Sequence, residues 1–238
     1  MIVVKDLCKS YGTAKALDGV SLTVADGLIT GLLGVNGAGK TTLLSILATQ
    51  LAYDSGEVFV YGQPLSQTKK IRQMLAAVPQ GLAFYEKLTV AENLDFFVAM
   101  LGLGGGRRER RAAASAAITA SRLEPLLSRR ADTLSGGEKR RLNIAIGLLA
   151  EPKIILFDEP TVGLDTRIRL EILAAIRAMK GPGRIIVYTS HYLDEIGKLC
   201  DEAAILHGGK VKAFFGEEEL RQGTGGLEER FLAITEQA

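Results

Sequence analysis

The sequence predicts an α/β fold in which a mostly parallel sheet is covered by helices on both faces and a helical segment is inserted midway. Three observations carry this. A short apolar run, Leu28 to Leu33, leads through a glycine-rich loop into leucines at helical spacing, giving strand, loop and helix in that order. From Lys153 onward, short strand-like runs again alternate with helical ones. Between these halves, from about Tyr85 to Arg130, the chain is rich in alanine, leucine and arginine and poor in strand-forming runs.

The first quarter reads as strands. Val20 to Val24 alternates apolar and polar residues, the period of a half-buried strand, and Asp26-Gly27 makes a turn. Leu28 to Leu33 suits a strand buried on both faces. Leu43, Leu44, Leu47 and Leu51 mark one side of a helix, and Glu57 to Tyr61 reads as a further strand closed by Gly62. In the helical segment, Gly104-Gly105-Gly106 is a break, followed by Arg107, Arg108, Arg110 and Arg111. That cluster suits a solvated helix start; its alternative is a site facing anionic headgroups or a partner. Later, Ile154 to Phe157, Ile185 to Thr189, Ala203 to His207 and Val211 to Phe215 read as strands. Arg169 to Lys180 and Asp194 to Leu199 read as helices. Gly208-Gly209 suits a two-residue hairpin turn, and Leu227, Phe231 and Ile234 share one face of a last short helix.

A chain of 238 residues, 47% hydrophobic and 24% charged, can bury a sizeable core. The formal net charge of +2 argues against a broad nucleic-acid-binding surface. No stretch approaches the roughly 20 apolar residues of a membrane span. The charges at Lys5, Asp6 and Lys9 are unlike a secretory signal. Cys8 and Cys200, the two cysteines, make no disulfide framework, which fits a reducing compartment. If a membrane is involved, the expectation is a chain that sits beside it.

Gly34 to Thr41 reads GVNGAGKT, two glycines four residues apart followed by Lys and Thr. Backbone N–H groups can wrap a triphosphate closely where Gly34, Gly37 and Gly39 lack a Cβ. The helix that follows directs its positive end at the phosphates. Lys40 supplies a mobile charge for the β- and γ-phosphates, and the Thr41 hydroxyl can ligate magnesium. The segment Gly34, Val35, Asn36, Gly37, Ala38, Gly39, Lys40, Thr41 and the adjoining Thr42 is therefore expected to hold ATP with Mg²⁺. Ile154 to Glu159 is an apolar strand ending in two carboxylates. Asp158 can hold magnesium, usually through a water, which leaves Glu159 to orient or deprotonate an attacking water. Alone, the pair could equally cap the next helix; beside a phosphate loop, catalysis is the better reading.

Leu134 to Glu138 reads LSGGE, a second anion-binding helix start formed by Ser135, Gly136, Gly137 and Glu138. Two such sites in one chain are explained if the second serves a nucleotide held by another copy. With this motif the whole chain resembles the nucleotide-binding domain of ATP-binding cassette (ABC) transporters, and LSGGE resembles that family's signature. The resemblance implies a phosphate-loop (P-loop) NTPase core with an N-terminal antiparallel β subdomain. It implies one domain over 1–238, a helical subdomain over about 85–140 and a helical tail over about 217–238. Tyr11 resembles the aromatic residue that stacks on adenine, and Gln80 the glutamine that senses magnesium and the γ-phosphate. Asp165, in Gly163-Leu164-Asp165, resembles the loop through which two subunits communicate. His191 resembles the switch histidine at the γ-phosphate, whereas His207 has no such support and is expected on the surface.

Two departures are small. Phe157 stands where the family often has an aliphatic residue, and Thr166 where proline is frequent. No catalytic position is missing, so the resemblance implies a hydrolysing ATPase at the cytoplasmic face of the membrane. Its partners would be a separate transmembrane permease and a second copy of itself, or a paralogous ATPase, in a head-to-tail dimer. The segments SGGEKRRLNIAIGLLAEPK, DEPTVGLD and LEERFLAIT resemble the exporter branch. Alternatives are an importer subunit or an ABC-type ATPase acting on ribosomes or DNA. A single LSGGE and the lack of coiled-coil heptads count against the last, and LSGGE itself counts against a phosphate-loop kinase.

Overall fold

The computed structural model describes residues 1–103, 106–222 and 225–236. Gly104 and Gly105 of the predicted glycine break, and the side chains of Arg107 and Arg111, lie outside the described residues. The chain opens with β1 (Ile2–Tyr11), β2 (Ala14–Val24) and β3 (Ile29–Leu33), followed by α1 (Lys40–Leu47). Next come β4 (Ser55–Val60), β5 (Gln63–Pro64), α2 (Thr68–Arg72) and β6 (Leu75–Val78). The middle holds α3 (Val90–Met100), α4 (Arg107–Ala120) and α5 (Gly136–Leu148), with two short 3₁₀ turns before α5. The remainder is β7 (Ile154–Asp158), α6 (Thr166–Ala178), β8 (Ile185–Ser190), α7 (Leu193–Leu199), β9 (Glu202–His207), β10 (Lys210–Phe215), α8 (Glu217–Arg221) and α9 (Gly225–Thr235).

Two sheets result. One is antiparallel, in the order β2-β1-β4-β5. The other runs β10-β9-β3-β8-β7-β6, parallel throughout except for β10, which pairs antiparallel with β9 through the Gly208-Gly209 turn. Both turn glycines have positive φ, 55° and 72°, as a tight two-residue hairpin requires.

The central strands are apolar on both sides because both sides are covered. Ile154, Leu156, Ile185, Val187, Ala204 and Leu206 pack with α1 and the antiparallel sheet. Their sequence neighbours Ile155, Phe157, Ile186, Tyr188, Ala203 and Ile205 pack on the opposite face with residues of α6, α7 and α9. The period of two along each strand thus divides one sheet between two cores. Phe157 is fully buried in the second of them. A third core, built on Val90, Leu94, Val98, Ala114, Ile118, Leu142 and Ala145, holds α3, α4 and α5 together. α3 begins with a capping box, in which the Thr89 hydroxyl accepts from the Glu92 N–H and the Glu92 carboxylate accepts from the Thr89 N–H.

Of the arginine cluster, Arg108 is exposed and Arg110 pairs with Asp95 at 2.9 Å. His207 is only half-exposed, and its Nδ1 is shielded from solvent with no hydrogen-bond partner among the described residues. Among the described residues, no helix is long and apolar enough to cross a membrane.

Candidate functional site

β3 delivers the chain to the phosphate loop at the carboxyl end of the parallel sheet, where such sheets place ligands. The loop's path needs its glycines. A Cβ on Gly34 would lie 2.4 Å from the Leu206 carbonyl oxygen, and one on Gly39, at φ +105°, would lie 2.5 Å from that of Ala16. Asn36 and Gly37 stand exposed at the mouth, and Gly39 is the N-cap of α1, so the first turn of that helix faces the cavity.

A cavity of about 500 Å³ is lined by Ala16, Asn36, Gly37, Ala38, Gly39, Lys40, Thr41, Thr42, Gln80, Glu159, Val162 and His191. At its floor Lys40, 5% exposed, donates to the carbonyls of Gly34 at 2.6 Å and Val35 at 3.1 Å. The same ammonium lies 3.0 Å from Glu159 Oε1, while Glu159 Oε2 lies 3.1 Å from His191 Nδ1. The phosphate-loop lysine, the carboxylate at the tip of β7 and the histidine after β8 are therefore one contiguous chain of contacts.

The backbone of Glu159 is in the left-handed region, at φ +43°. Its N–H donates to Thr189 Oγ1 at 2.9 Å, and the Thr189 hydroxyl lies 2.9 Å from Asp158 Oδ1. Thr189 of β8 thus holds the Asp158 carboxylate and the Glu159 backbone. α6 is capped by Asp165, which accepts from the Ile168 N–H at 3.0 Å. Asp158 and Glu159 therefore do not cap the next helix, the alternative that the sequence had left open. Thr166 is the first residue of α6, the position where proline is also well accommodated.

Of the other expected residues, Gln80 reaches the edge of this cavity and the rest do not line it. Ser135 caps α5: its hydroxyl accepts from the Glu138 N–H at 3.3 Å, and the Glu138 carboxylate accepts from the Ser135 N–H at 2.7 Å. Burial works against ionisation of Glu138, but the Ser135 hydrogen bonds and the charges of Arg129 and Arg141 outweigh it and hold its pKa below the ordinary value. Gly137 is pressed on the start of α6, where a Cβ would lie 2.5 Å from Ile168 Cγ2. Tyr11, 54% exposed at the end of β1, has Lys9 Nζ 5.8 Å from its ring centre. Gln80 is exposed at the cavity edge.

Two sets of buried polar residues underlie the site without having been legible as site residues. Glu195 on α7, fully buried, accepts from Thr161 at 2.7 Å, Tyr188 at 2.8 Å and Ser190 at 2.5 Å. Ser190 in turn accepts from the Tyr192 N–H, so the network brackets His191 on both sides. Arg140 and Asn143 on α5 reach the segment that carries Gln80. In both helices the signal was a charged or amide residue on the apolar face. Arg140 shares a face with Gly137 and Ile144, and Glu195 with Leu199.

For magnesium the donor chemistry fits. The Thr41 hydroxyl, the Asp158 carboxylate and the Gln80 amide oxygen are hard oxygen donors of the kind that ion takes.

Comparison with known proteins bears on the same elements. Residues 17–162 match the ABC transporter family model. The linearmycin resistance ATP-binding protein LnrL of Bacillus subtilis is 36% identical over 227 residues, 95% of this chain and 72% of that protein. The daunorubicin resistance ATP-binding protein DrrA3 of Streptomyces coeruleorubidus is 37% identical over 92% of this chain and 69% of its own length. Among solved structures, the dimeric post-hydrolysis state of the ATP-binding cassette MJ0796 bound to ADP and Pi superposes with a TM-score of 0.81. It is 26% identical, and the match covers 91% of this chain and 99% of that one. With its phosphate loop, its paired carboxylates and its LSGGE helix in one fold, the chain belongs to the ABC transporter family, as an ATP-binding, ATP-hydrolysing subunit.

Proposed function

We propose that this subunit powers export through a separate transmembrane permease, with two copies, or one copy and a paralogue, closing head to tail around ATP. The observation that carries the chemistry is the contact chain Lys40–Glu159–His191 at the floor of the phosphate-loop cavity. Backbone N–H groups of the loop and the Lys40 ammonium bind and orient the triphosphate. Glu159 Oε2 faces His191, so the histidine can hold the carboxylate in position while Glu159 accepts a proton from the attacking water. Thr41, Asp158 and Gln80 would hold magnesium, which when bound supplies charge neutralisation at the β- and γ-phosphates. Tyr11 would stack on adenine.

Ser135 to Glu138 do not line this cavity, which fits their serving the nucleotide of a second copy, with Asp165 at the same junction. Closure of such a dimer from 1:99 to 99:1 needs about 5.5 kcal/mol of differential binding. Charge-assisted contacts to phosphate contribute about 1.5–3 kcal/mol each, so a few per site suffice.

The permease would dock on the helical part. Leu82, Tyr85, Phe96, Met100 and Leu101 are exposed there, and Tyr85, Phe96 and Phe97 stack edge to face at 4.8 and 5.3 Å. Attachment to the membrane would then be peripheral, at its cytoplasmic face. The outward direction draws on the relatives, whose names describe drug resistance and Nod factor export. The test is Glu159→Gln. With ATP and magnesium it should elute from gel filtration as a dimer and turn over little. A variant that stays monomeric and hydrolyses like the parent would sink the assignment.

A further inference from the structure

α5 begins at the LSGGE segment, and its next two turns grip the loop that contains Gln80. Arg140, 5% exposed, donates from Nη1 to the Pro79 carbonyl at 3.1 Å and from Nη2 to the Gln80 carbonyl at 2.9 Å. Asn143, 3% exposed, accepts from the Ala83 N–H at 2.9 Å and donates to the carbonyls of Pro79 and Gly81, each at 3.3 Å. Three successive carbonyls and one amide of this loop are thus taken by side chains of a single helix.

Packing continues the same grip. At Gly147, two turns further along α5, a Cβ would lie 2.8 Å from Val78 Cγ2, so the helix lies directly against the end of β6. The arginine is costly to keep there. No ion pair offsets its charge among the described residues, its Nε has no partner, and burial draws its pKa down. A fold needing only an apolar contact at that point would be better served by methionine or leucine.

A helix is rigid over such distances: the five-residue step from Ser135 to Arg140 rises only about 7.5 Å. We propose that Arg140 and Asn143 are positioning residues that make the 79–83 segment a rider on α5. Gln80 then enters the phosphate cavity of its own chain in the same movement that presents Ser135 to a second copy. This rests on the reading of Gln80 as directed at the nucleotide and magnesium. Neither Arg140 nor Asn143 lines the cavity, so each acts through the loop it holds.

The experiment uses the purified full chain, with steady-state ATPase assays and titration by a fluorescent ATP analogue. Arg140→Met should lower kcat about tenfold, the effect of losing one or two buried hydrogen bonds at a positioned group, and leave analogue affinity within about twofold. Arg140→Lys, which keeps the charge and one donor, should recover most of the loss. Asn143→Ser, a smaller perturbation, should follow Arg140→Met in kind. In a Gln80→Ala background, Arg140→Met should cost less than about twofold more, because the two act as a unit. Affinity falling as far as kcat, no recovery with lysine, or full additivity with Gln80→Ala would overturn the proposal. A Gln80→Ala variant that hydrolyses like the parent would instead overturn the reading of Gln80 beneath it.

Discussion

Replacing Glu195 by glutamine should destabilise the fold and slow hydrolysis together. The carboxylate is fully buried on α7 and accepts from three hydroxyls, Thr161, Tyr188 and Ser190. Arg169 Nε lies 3.5 Å away. Hydrogen bonds to a charged group are worth about 1.5–3 kcal/mol each. The amide keeps one acceptor oxygen but turns two protons toward a cluster of donors. Thr161 Oγ1 lies 3.1 Å from the Tyr188 hydroxyl, so part of the network can reverse its direction. Burial, aided by the charge of Glu195, pushes the Tyr188 phenol far above its ordinary pKa, so it stays a donor throughout the working pH range. Losing one charged bond outright and weakening the others gives about 2–4 kcal/mol, a large part of the ~5–15 kcal/mol that holds a domain together. Urea unfolding reads this as a lower midpoint with an unchanged slope. Tyr188→Phe, which removes one donor to the carboxylate, should cost about 1.5–3 kcal/mol. Because Ser190 and Tyr192 flank His191, and the Tyr192 ring lies 4.0 Å from the imidazole, kcat of Glu195→Gln should fall about 10- to 100-fold. A glutamine variant within about 0.5 kcal/mol of the parent and equally active would refute the reasoning.

Gly34→Ala would set a methyl group 2.4 Å from the Leu206 carbonyl oxygen, a backbone atom that cannot swing aside. The phosphate loop must then shift, and titration with a fluorescent ATP analogue should show binding lost even where the fold survives. Lys40→Ala removes a charge-assisted phosphate contact and should weaken the same binding about 10- to 100-fold; near-parental affinity would contradict the phosphate-loop reading. The Glu138 carboxyl has a lowered pKa in the fold, so its contribution to stability is present above the ordinary value of 4.5 and is lost as pH falls through the folded-state pKa. Glu138→Gln should therefore flatten the acid limb of the stability–pH curve below 4.5, measured by thermal unfolding, while a parallel curve would count against the cap.

The sequence revealed most where one physical cause acts alone. Ile154 to Phe157 and Ile185 to Thr189 were legible as strands because continuous apolar runs mean burial on both faces, and the two cores on either side of the sheet supply it. GVNGAGKT was legible because close backbone approach to phosphate leaves few options but glycine. Less legible were elements shaped by competing causes. β1 was not delimited. Its alternation breaks at Asp6, which has φ 47°, and its register with β2 shifts between Val4 and Leu7. β6, Leu75–Val78, escaped because Leu-Ala-Ala-Val is a weak strand former that forms only through pairing with β7. Ser135 was read as part of an anion-binding helix start; in the structure it caps α5 with a capping box. Gln80 had no local signal and rested on family pattern alone. Arg140, Asn143 and Glu195 escaped for a different reason. A polar residue on an apolar face violates the pattern, and its partners are carbonyls and hydroxyls far away in sequence.

Those violations fall beneath the parts that must be placed most accurately. Apolar packing is non-directional and tolerates small slides, whereas a misplacement of about 1 Å at a reacting centre can cost a hundredfold in rate. Hydrogen bonds have direction, and buried ones cannot be exchanged for water. Glu195 fixes the loops bearing His191 and Thr161 to the core, close to Glu159. Arg140 and Asn143 fix the segment bearing Gln80 to α5. Among the described residues that line the cavity, Gln80 alone is carried by the helical part, and the rest stand on the core. On the proposed reading of Gln80, a rotation of α3, α4 and α5 against the core would reach the chain's own nucleotide through that one side chain. On that proposal the two networks would divide the work: one would hold the chemistry still, and the other would let the helical part report its position to it. Loss of Glu195 should accordingly lower hydrolysis whatever the permease does, whereas loss of Arg140 should also blunt its response to the permease.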